Sequence, residues 1–329
     1  MTVPLSVLDL APVRRGIPPS HSLRESVSLA PRVEELGYLR YWLAEHHNLA
    51  SVASCAPSVL IAEIANATTV LRVGSGGVML PDHAPLVVAE QFGTLEALHP
   101  GRIDLGVGRA PGTDPRTARA LRRTEEPAGF PRQLDELVGY FNGSAAAGAI
   151  KAIPAEGNAP PIWILGSSVA SAEFAAVRGL PYAFAHHIAP GATIPALRRY
   201  RESFQPGVSL QRPYAIVAAI SVVADTDEHA AWVAQTLRAA ATRARRGEHA
   251  PYEAPTQAAA LPYTADELVF QAEYLSTQII GGPAEAHRRA TELVTESGAD
   301  ELMILAVAHE YADRVRTYEV LAEELSTGH

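Results

Sequence analysis

The chain has 329 residues, 47% of them apolar, with 27 basic and 36 acidic residues and a formal net charge of −9. This mildly acidic balance provides no basic surface for nucleic acid or an anionic membrane, so we expect neither as a partner. A single cysteine, Cys55, excludes an internal disulfide framework, and a single lysine, Lys151, excludes a Walker-type phosphate loop and argues against Schiff-base chemistry.

Short apolar runs alternate with longer amphipathic runs through the first third of the chain. The short runs are rich in aliphatic residues and predict strands, and the amphipathic runs predict helices. The predicted strands cover residues 4–10, 39–44, 72–80 and 102–108, and the predicted helices between them cover residues 22–37, 57–68 and 85–98. Ser22 and Glu25 have the spacing of a capping box that would begin the first helix, and Pro31 predicts a kink or a broken turn inside it.

The alternation loosens over residues 109–160, which carry one predicted helix, at residues 131–141. Beyond them, strands are predicted at residues 161–165, 182–185, 214–224 and 301–306, and helices at residues 168–178, 194–204, 225–247, 264 onwards, 283–298 and 309–325. Thr264 with Glu267 forms a capping box, and Pro283 and Gly298 suit the two ends of the helix they frame. Residues 248–262, rich in proline and alanine, form a second loose stretch.

Eight strand–helix repeats without a break in composition predict an α/β fold, a single (β/α)8 TIM-type barrel that spans residues 1–329 as one domain. The two loose stretches are then insertions after strands 4 and 7, and we expect their side chains to determine the substrate. Two doubly wound domains would also alternate strands with helices. We favour the barrel because no linker rich in proline, glycine or charge separates two equal halves.

Two histidine pairs follow predicted strands, His46 with His47 and His186 with His187. Residues just past the carboxyl end of a barrel strand face the mouth of the barrel, where a neutral imidazole can exchange a proton near neutral pH. Because neighbouring residues point in different directions, we expect at least one histidine of the first pair to be structural. The histidines lack the spacing and the accompanying carboxylates of a metal site, so we predict no bound metal.

An anion site is predicted where the fourth and fifth strands end. Arg109 follows the fourth strand, where its guanidinium could bind a phosphate or a carboxylate, or instead pair with Asp104 or Glu90. Three small residues end the fifth strand and open a helix at once: Gly166, Ser167 and Ser168. Free backbone amides and hydroxyls at a helix start bind phosphate, although Ser168 alone would equally suit an ordinary N-cap.

Two glycine-rich segments differ in their position relative to the strands. Gly76 and Gly77 lie within the third strand, where glycine marks either close packing or the approach of a ligand to the backbone. Gly106, Gly108 and Gly112 loosely resemble a dinucleotide fingerprint, but prolines delay the helix that should follow. We therefore predict no nicotinamide site.

These positions together resemble the bacterial luciferase-like, flavin-dependent monooxygenase family, and the resemblance covers nearly the whole chain. Six segments carry it through their order and spacing. They are Glu35-Leu-Gly-Tyr38, Trp42-Leu-Ala-Glu-His-His47, Val73-Gly-Ser-Gly-Gly-Val-Met-Leu-Pro81, Ala89-Glu-Gln-Phe92, Pro100-Gly-Arg-Ile-Asp-Leu-Gly-Val-Gly-Arg109 and Gly298-Ala-Asp-Glu-Leu302.

The resemblance implies that reduced FMN binds as a co-substrate at the carboxyl-terminal mouth of a barrel. Gly76 and Gly77 match residues whose shared peptide bond is cis in many family members, against the flavin ring. Arg109 and Ser168, with Ser167, fall where relatives hold the flavin phosphate. The resemblance thus assigns to the flavin the same strand ends that the residues alone mark as an anion site.

The resemblance also implies roles for single residues near the flavin. Glu90 matches a buried acid behind the flavin site, and His46 matches the histidine that relatives use near the reaction centre. We expect His46 to donate or relay a proton. The luciferase subunit itself has a reactive cysteine just before the arginine, where this chain has Gly108, so we expect no bioluminescence.

The implied reaction oxygenates a small organic substrate with dioxygen. A separate flavin reductase is expected to supply the reduced flavin, since no nicotinamide site is predicted. We expect a cytoplasmic protein, because the amino terminus lacks the features of a signal peptide and no apolar run reaches about 18 residues. A homodimer is expected by analogy, through apolar outer helix faces such as that of residues 57–67.

Two other functions stay open. The same barrel serves hydride transfer with a 5-deazaflavin coenzyme, whose longer tail would need basic residues beyond Arg109. Four arginines on predicted loops could provide them: Arg14, Arg15, Arg116 and Arg119. A non-catalytic flavin-binding protein would bind FMN without turnover. A glycosidase is poorly supported, because Glu45 has no partner carboxylate at the mouth.

Overall fold

The fold is that of a computed structural model, which describes residues 3–110, 112–123, 129–144 and 148–326. The strands within these residues are β1 (Leu5–Asp9), β2 (Arg40–Leu43), β3 (Arg72–Met79), β4 (Ile103–Gly108), β5 (Ile162–Gly166), β6 (Tyr182–Ala185), β7 (Ala215–Val223), β8 (Ile279–Gly281) and β9 (Glu301–Ala306). The α-helices are α1 (Pro19–Glu35), α2 (Pro57–Ala67), α3 (Pro85–Leu98), α4 (Pro115–Ala120), α5 (Gly129–Asn142), α6 (Val169–Ala176), α7 (Thr193–Ser203), α8 (Asp227–Val233), α9 (Gln235–Arg245), α10 (Pro255–Ala259), α11 (Ala265–Ser276), α12 (Pro283–Ser297) and α13 (Tyr311–Ser326).

Eight of the strands form a closed parallel barrel. Neighbours in sequence pair from β1 to β7, and β9 closes the ring by pairing with both β7 and β1. The short β8 pairs only with the end of β7, where Ser221 lies opposite Ile279. The predicted TIM-type barrel is therefore confirmed, with one more strand than the sequence indicates.

Two apolar layers follow from the alternation of side chains along each strand. In β9, Leu302 and Ile304 point outward and pack under the helices, whereas Met303 and Leu305 point into the barrel. All nine residues of β7 are buried, as its uninterrupted apolar run predicts. The barrel interior is thus filled by its own side chains over most of its height.

A buried charge cluster closes the amino-terminal end of the barrel. Arg40, the first residue of β2, lies 2.7 Å from Asp104 through Nη1 and 2.7 Å from Glu301 through Nε. Its guanidinium also lies 4.8 Å from the ring centroid of Trp163. Because this end is plugged, a ligand can enter the barrel only from the carboxyl-terminal ends of the strands.

The start of the first helix is predicted wrongly. The helix begins at Pro19, and Ser22 is buried inside it, where its hydroxyl donates to the carbonyl of Pro12 at 2.7 Å. Glu25 accepts a hydrogen bond from Arg14 at 2.5 Å instead of completing a capping box. The helix continues through Pro31 to Glu35, so the proline does not end it.

Further differences lie in the two long connections. The predicted helix over residues 225–247 is two helices, α8 and α9, which meet at Ala234. The stretch over residues 248–262 contains the short α10, and α4 lies in the first loose stretch. Short helices such as these bury too few residues to give a periodic signal.

The helix ends late in the chain match their predictions. Thr264 and Glu267 form the predicted capping box of α11. Pro283 is the first residue of α12, and Gly298 ends it with a φ of +63°, in the left-handed region that favours glycine. No helix among the described residues is both long enough and apolar enough to cross a bilayer.

Candidate active site

A cavity of about 610 Å³ opens at the carboxyl-terminal ends of the barrel strands, a size that suits a cofactor or a small ligand. Six of the residues selected from the sequence line it: His46, Gly76, Arg109, Gly166, Ser167 and Ser168. The structure therefore brings together groups that are up to about 120 positions apart in the chain. Gly77 and Glu90 are not among its lining residues.

Arg109 lies at the rim of the cavity and is exposed. Its carbonyl accepts a hydrogen bond from Nη2 of Arg123 at 2.7 Å, but no described side chain pairs with its guanidinium. Asp104, one partner that the sequence allowed, is fully buried and pairs with Arg40 and Arg72. The guanidinium is thus available to an anionic ligand.

The first turn of α6 lies on the same cavity. Ser168 is its N-cap, and the Ser168 hydroxyl accepts the backbone N–H of Ser171 at 3.2 Å. Within the described part of the chain, the first two N–H groups of this helix have no acceptor. Gly166 allows β5 to pack directly on this turn, because a Cβ there would overlap the Ser171 side chain. The turn is an ordinary cap that also leaves N–H groups of the kind that bind anions.

The peptide bond between Gly76 and Gly77 is cis, as the resemblance implies. It lies where the register between β3 and β4 shifts. A Cβ on Gly76 would lie 2.7 Å from Cδ1 of Leu8 and 3.1 Å from Cβ of Trp42, and both of these residues line the cavity. Gly76 therefore forms part of the cavity wall through its backbone.

Gly77 and Glu90 lie outside the cavity, so the structure does not support direct contact between either residue and a cofactor. A Cβ on Gly77 would lie 2.7 Å from the carbonyl oxygen of Gly106, which shows that Gly77 packs against β4. Glu90 is half-buried on α3, a helix that packs against α5 on the outside of the barrel. Glu45 matches the description of a buried acid near the site better than Glu90 does, because its side chain is buried.

Glu45 is a buried carboxylate that follows β2. Its Oε1 lies 2.8 Å from Nε2 of His47 and 2.6 Å from Nε2 of His83, and its Oε2 accepts the backbone N–H of Met79 at 2.8 Å. Burial alone would raise the pKa of Glu45, but the hydrogen bonds from the two imidazoles lower it. The carboxylate thus holds the ends of β2 and β3 together beside the cavity.

One histidine of each sequence pair lines the cavity. His46 and His187 do so, whereas His47 is held by Glu45, and His186 is buried between the hydroxyl of Thr193 and the carbonyl of Thr277. The prediction that one of His46 and His47 is structural is confirmed. The described residues contain no group of three or more side chains that could hold a metal ion.

The ring of His46 has a defined tautomer. Its Nδ1 lies 3.2 Å from the carbonyl oxygen of Gly112. A carbonyl only accepts, so Nδ1 donates and Nε2 of the neutral ring is an unprotonated acceptor. Burial lowers the pKa of His46, which keeps the ring neutral near pH 7.

The sequence does not identify the residues that cover the cavity. They come from α9 and the segment that follows it: Leu237, Ala240, Arg243, Tyr252 and Glu253. Glu253 pairs with Arg243 at 2.5 Å and with Arg15 at 3.1 Å, and the backbone of Tyr252 bonds to that of Val13 and Arg15. These ion pairs and hydrogen bonds hold the second loose stretch against the loop after β1. Local sequence patterns cannot predict such a contact, because the two segments are far apart in the chain.

None of the four arginines proposed for a longer coenzyme tail lines the cavity. Arg14 is buried and pairs with Glu25, and Arg15 pairs with Glu253. Arg116 and Arg119 are exposed on α4. Of the arginines that the sequence suggests for binding a cofactor, Arg109 is therefore the one that lines the cavity.

The family model and the named relatives indicate the same protein family. A family model described as luciferase-like monooxygenase matches residues 3–301. A protein of Escherichia coli (strain K12) named luciferase-like monooxygenase is 42% identical over 321 residues, which cover 97% of this chain and 96% of that protein. The crystal structure of apo-MsnO8 has a TM-score of 0.93 at 38% identity and covers 98% of both chains.

More distant solved structures share the fold and differ in their cofactors. The oxygenating constituent of 3,6-diketocamphane monooxygenase from Pseudomonas putida, in complex with FMN, has a TM-score of 0.75 at 16% identity, and the match covers 98% of both chains. An F420-dependent secondary alcohol dehydrogenase in complex with an F420-acetone adduct has a TM-score of 0.69 at 13% identity and covers 99% of both chains. These likenesses concern the fold alone.

Proposed function

Because this chain belongs to the luciferase-like monooxygenase family, we propose that it uses reduced FMN and dioxygen to oxygenate a small organic substrate. The observation that carries the proposal is the guanidinium of Arg109, which pairs with no described side chain and lies on the same cavity as the serine-capped start of α6. The cavity is otherwise largely apolar, so a phosphate on these groups would leave an apolar chamber for a flavin ring and a substrate.

Arg109, Ser167 and the first turn of α6 would hold the flavin phosphate. A guanidinium binds a phosphate through two parallel hydrogen bonds, and free N–H groups at a helix start add a favourable dipole. The Ser168 side chain is engaged as the N-cap, so it would keep these N–H groups oriented rather than bind alone.

The backbone of Gly76 and the side chains of Leu8 and Trp42 would form the wall against the flavin ring. Bound reduced FMN supplies the electrons that activate dioxygen. The protein orients the ring and excludes water, and its apolar wall strengthens every electrostatic interaction inside the cavity.

His46 would hold and move the proton that the oxygenation requires. Its Nδ1–H is committed to Gly112, its ring lines the cavity, and no described group bonds to its Nε2. A proton that binds at Nε2 can be returned to a product oxygen, which is general acid–base catalysis.

We further propose that a separate reductase supplies the reduced flavin and that the protein is a homodimer in the cytoplasm. The cavity has the size for a cofactor, and none of Arg14, Arg15, Arg116 and Arg119 lines it, which suits FMN rather than a coenzyme with a longer tail. For the dimer, α2 offers Val59, an apolar side chain that is 64% exposed. A deazaflavin coenzyme is the weaker alternative, because Arg14 and Arg15 are already paired.

Titration of the apo-protein with oxidised FMN, reduced FMN and a deazaflavin coenzyme, followed by fluorescence, tests the proposal. We expect FMN to bind more tightly than the deazaflavin coenzyme, and the protein with reduced FMN to consume dioxygen. Tighter binding of the deazaflavin coenzyme, with hydride transfer instead of dioxygen consumption, would contradict the monooxygenase. Binding of FMN without any turnover in a screen of organic substrates would indicate the non-catalytic protein.

A further inference from the structure

His187 is a second imidazole on the cavity, and the proposed function gives it no role. It follows β6, and its Nδ1 lies 3.0 Å from the carbonyl oxygen of Ala218 on β7. Because the carbonyl can only accept, Nδ1 carries the proton and Nε2 of the neutral ring has a free lone pair. No described group bonds to this Nε2, although the ring lines the cavity.

His187 and His46 present the same chemistry to the cavity. Each donates from Nδ1 to a backbone carbonyl, and no group in the described ranges bonds to its Nε2. Burial is the main cause that lowers the pKa of His187 to about 4, and the nearby ring of His46 also lowers it. Near neutral pH both rings are therefore neutral, and each has an acceptor nitrogen at Nε2.

The surroundings of His187 are apolar. Ala185 and Ile188 flank it in sequence, Ile220 lies two residues beyond Ala218 on β7, and Leu305 lies opposite Ile220 on β9; all four line the cavity. A ligand that fits this part of the cavity therefore needs an apolar body and an uncharged hydrogen-bond donor. An ammonium group would meet no carboxylate at these positions and would lose its hydration.

We propose that His187 determines substrate specificity by accepting, at Nε2, a hydrogen bond from the hydroxyl group of an apolar substrate of the phenol or alcohol class. The inference rests on the proposed function, since it places the substrate in the cavity that would hold FMN. A buried acceptor discriminates strongly against an analogue without the donor, because that analogue leaves the acceptor unpaired.

Two variants separate this role from a structural one. The carbonyl of Ala218 also accepts the backbone N–H of His187 at 3.2 Å, so His187→Leu leaves that carbonyl with a donor. His187→Gln retains an acceptor on a side chain of similar length. His249→Leu is the matched control, because His249 is exposed at the edge of the same cavity.

The test compares 4-propylphenol with 4-propylanisole, which has the same body but no donor. Binding to the protein with and without FMN is followed by quenching of tryptophan fluorescence, which Trp42 in the cavity wall reports. We expect the phenol to bind about tenfold more tightly than the anisole, and this ratio to fall to about one in His187→Leu. It should stay high in His249→Leu and recover in part in His187→Gln.

Equal affinity of the wild type for the two probes, or an unchanged ratio in His187→Leu, would overturn the inference. A loss of FMN affinity in His187→Leu with the ratio unchanged would also overturn it, since His187 would then contact the flavin. If FMN does not bind but the ratio is high and depends on His187, the proposed function fails and this inference stands.

Discussion

Nε2 of His83 lies 2.6 Å from Oε1 of Glu45, a carboxylate whose side chain is completely buried beside the cavity. The hydrogen bond to Glu45 raises the pKa of His83 above its ordinary value. The pair, together with the bond from Met79 to the same carboxylate, joins the ends of two barrel strands. The stability of this region should therefore depend on pH.

We expect His83→Gln to lower the free energy of unfolding by roughly 1 kcal/mol, because a third of the His83 side chain is exposed and solvent weakens the pair. The raised pKa of His83 means that its contribution is complete below its ordinary pKa of 6.5 and is lost as the pH rises through the folded value. The lowered pKa of Glu45 means that its contribution is complete above 4.5 and is lost as the pH falls through its folded value.

The difference between wild type and His83→Gln should thus be largest between pH 4.5 and 6.5 and smaller in alkaline solution. Urea denaturation at about pH 5.5 and about pH 8.5 measures it. His249→Gln, at an exposed site, is the control and should show no such difference. An effect of His83→Gln that is the same at both pH values would contradict the pairing.

His46→Ala should slow dioxygen consumption by the protein with reduced FMN about 100-fold, because the acceptor that moves the proton is removed. The pH profile of the rate should also lose the ionisation of that imidazole. His47→Gln is the control, since His47 points to Glu45 and does not line the cavity. Wild-type rates with an unchanged pH profile in His46→Ala would remove His46 from the reaction.

Gly76→Ala should weaken FMN binding at least about tenfold and destabilise the fold by about 1–3 kcal/mol, because the new methyl group would press on Leu8 and Trp42. Gly191→Ala is the control, since a Cβ there meets open space. Isothermal titration with FMN and thermal unfolding measure the two effects. If Gly76→Ala binds FMN as the wild type does, Gly76 is not part of the flavin wall.

The barrel and its strand ends could be predicted because they follow from short-range patterns. The apolar runs locate all eight ring strands, and the rule that active sites lie at strand ends selects His46 and Arg109. The partners of Glu45 could not be predicted, since His83 lies 38 positions away and no periodicity links the two residues. The cover of the cavity by Tyr252 and Glu253 could not be predicted either, because it depends on tertiary contacts with the loop after β1.

Arg40→Leu should destabilise the protein by about 3–5 kcal/mol, because Asp104 and Glu301 would lose a buried counter-charge at the closed end of the barrel. Arg32→Leu removes an exposed arginine from α1 and its pair with Glu319, and should destabilise the protein far less. Urea denaturation of both variants measures the contrast. Equal losses in the two variants would show that the buried cluster does not stabilise the barrel.

Comparison of FMN with riboflavin tests the phosphate cradle most directly, since the two ligands differ by the phosphate alone. We predict that the wild type binds FMN at least about 100-fold more tightly than riboflavin, and that Arg109→Gln loses most of this preference with little change in riboflavin affinity. Arg116→Gln, at an exposed position outside the cavity, should keep the full preference. Equal affinities of the wild type for the two ligands, or an undiminished preference for FMN in Arg109→Gln, would contradict the account.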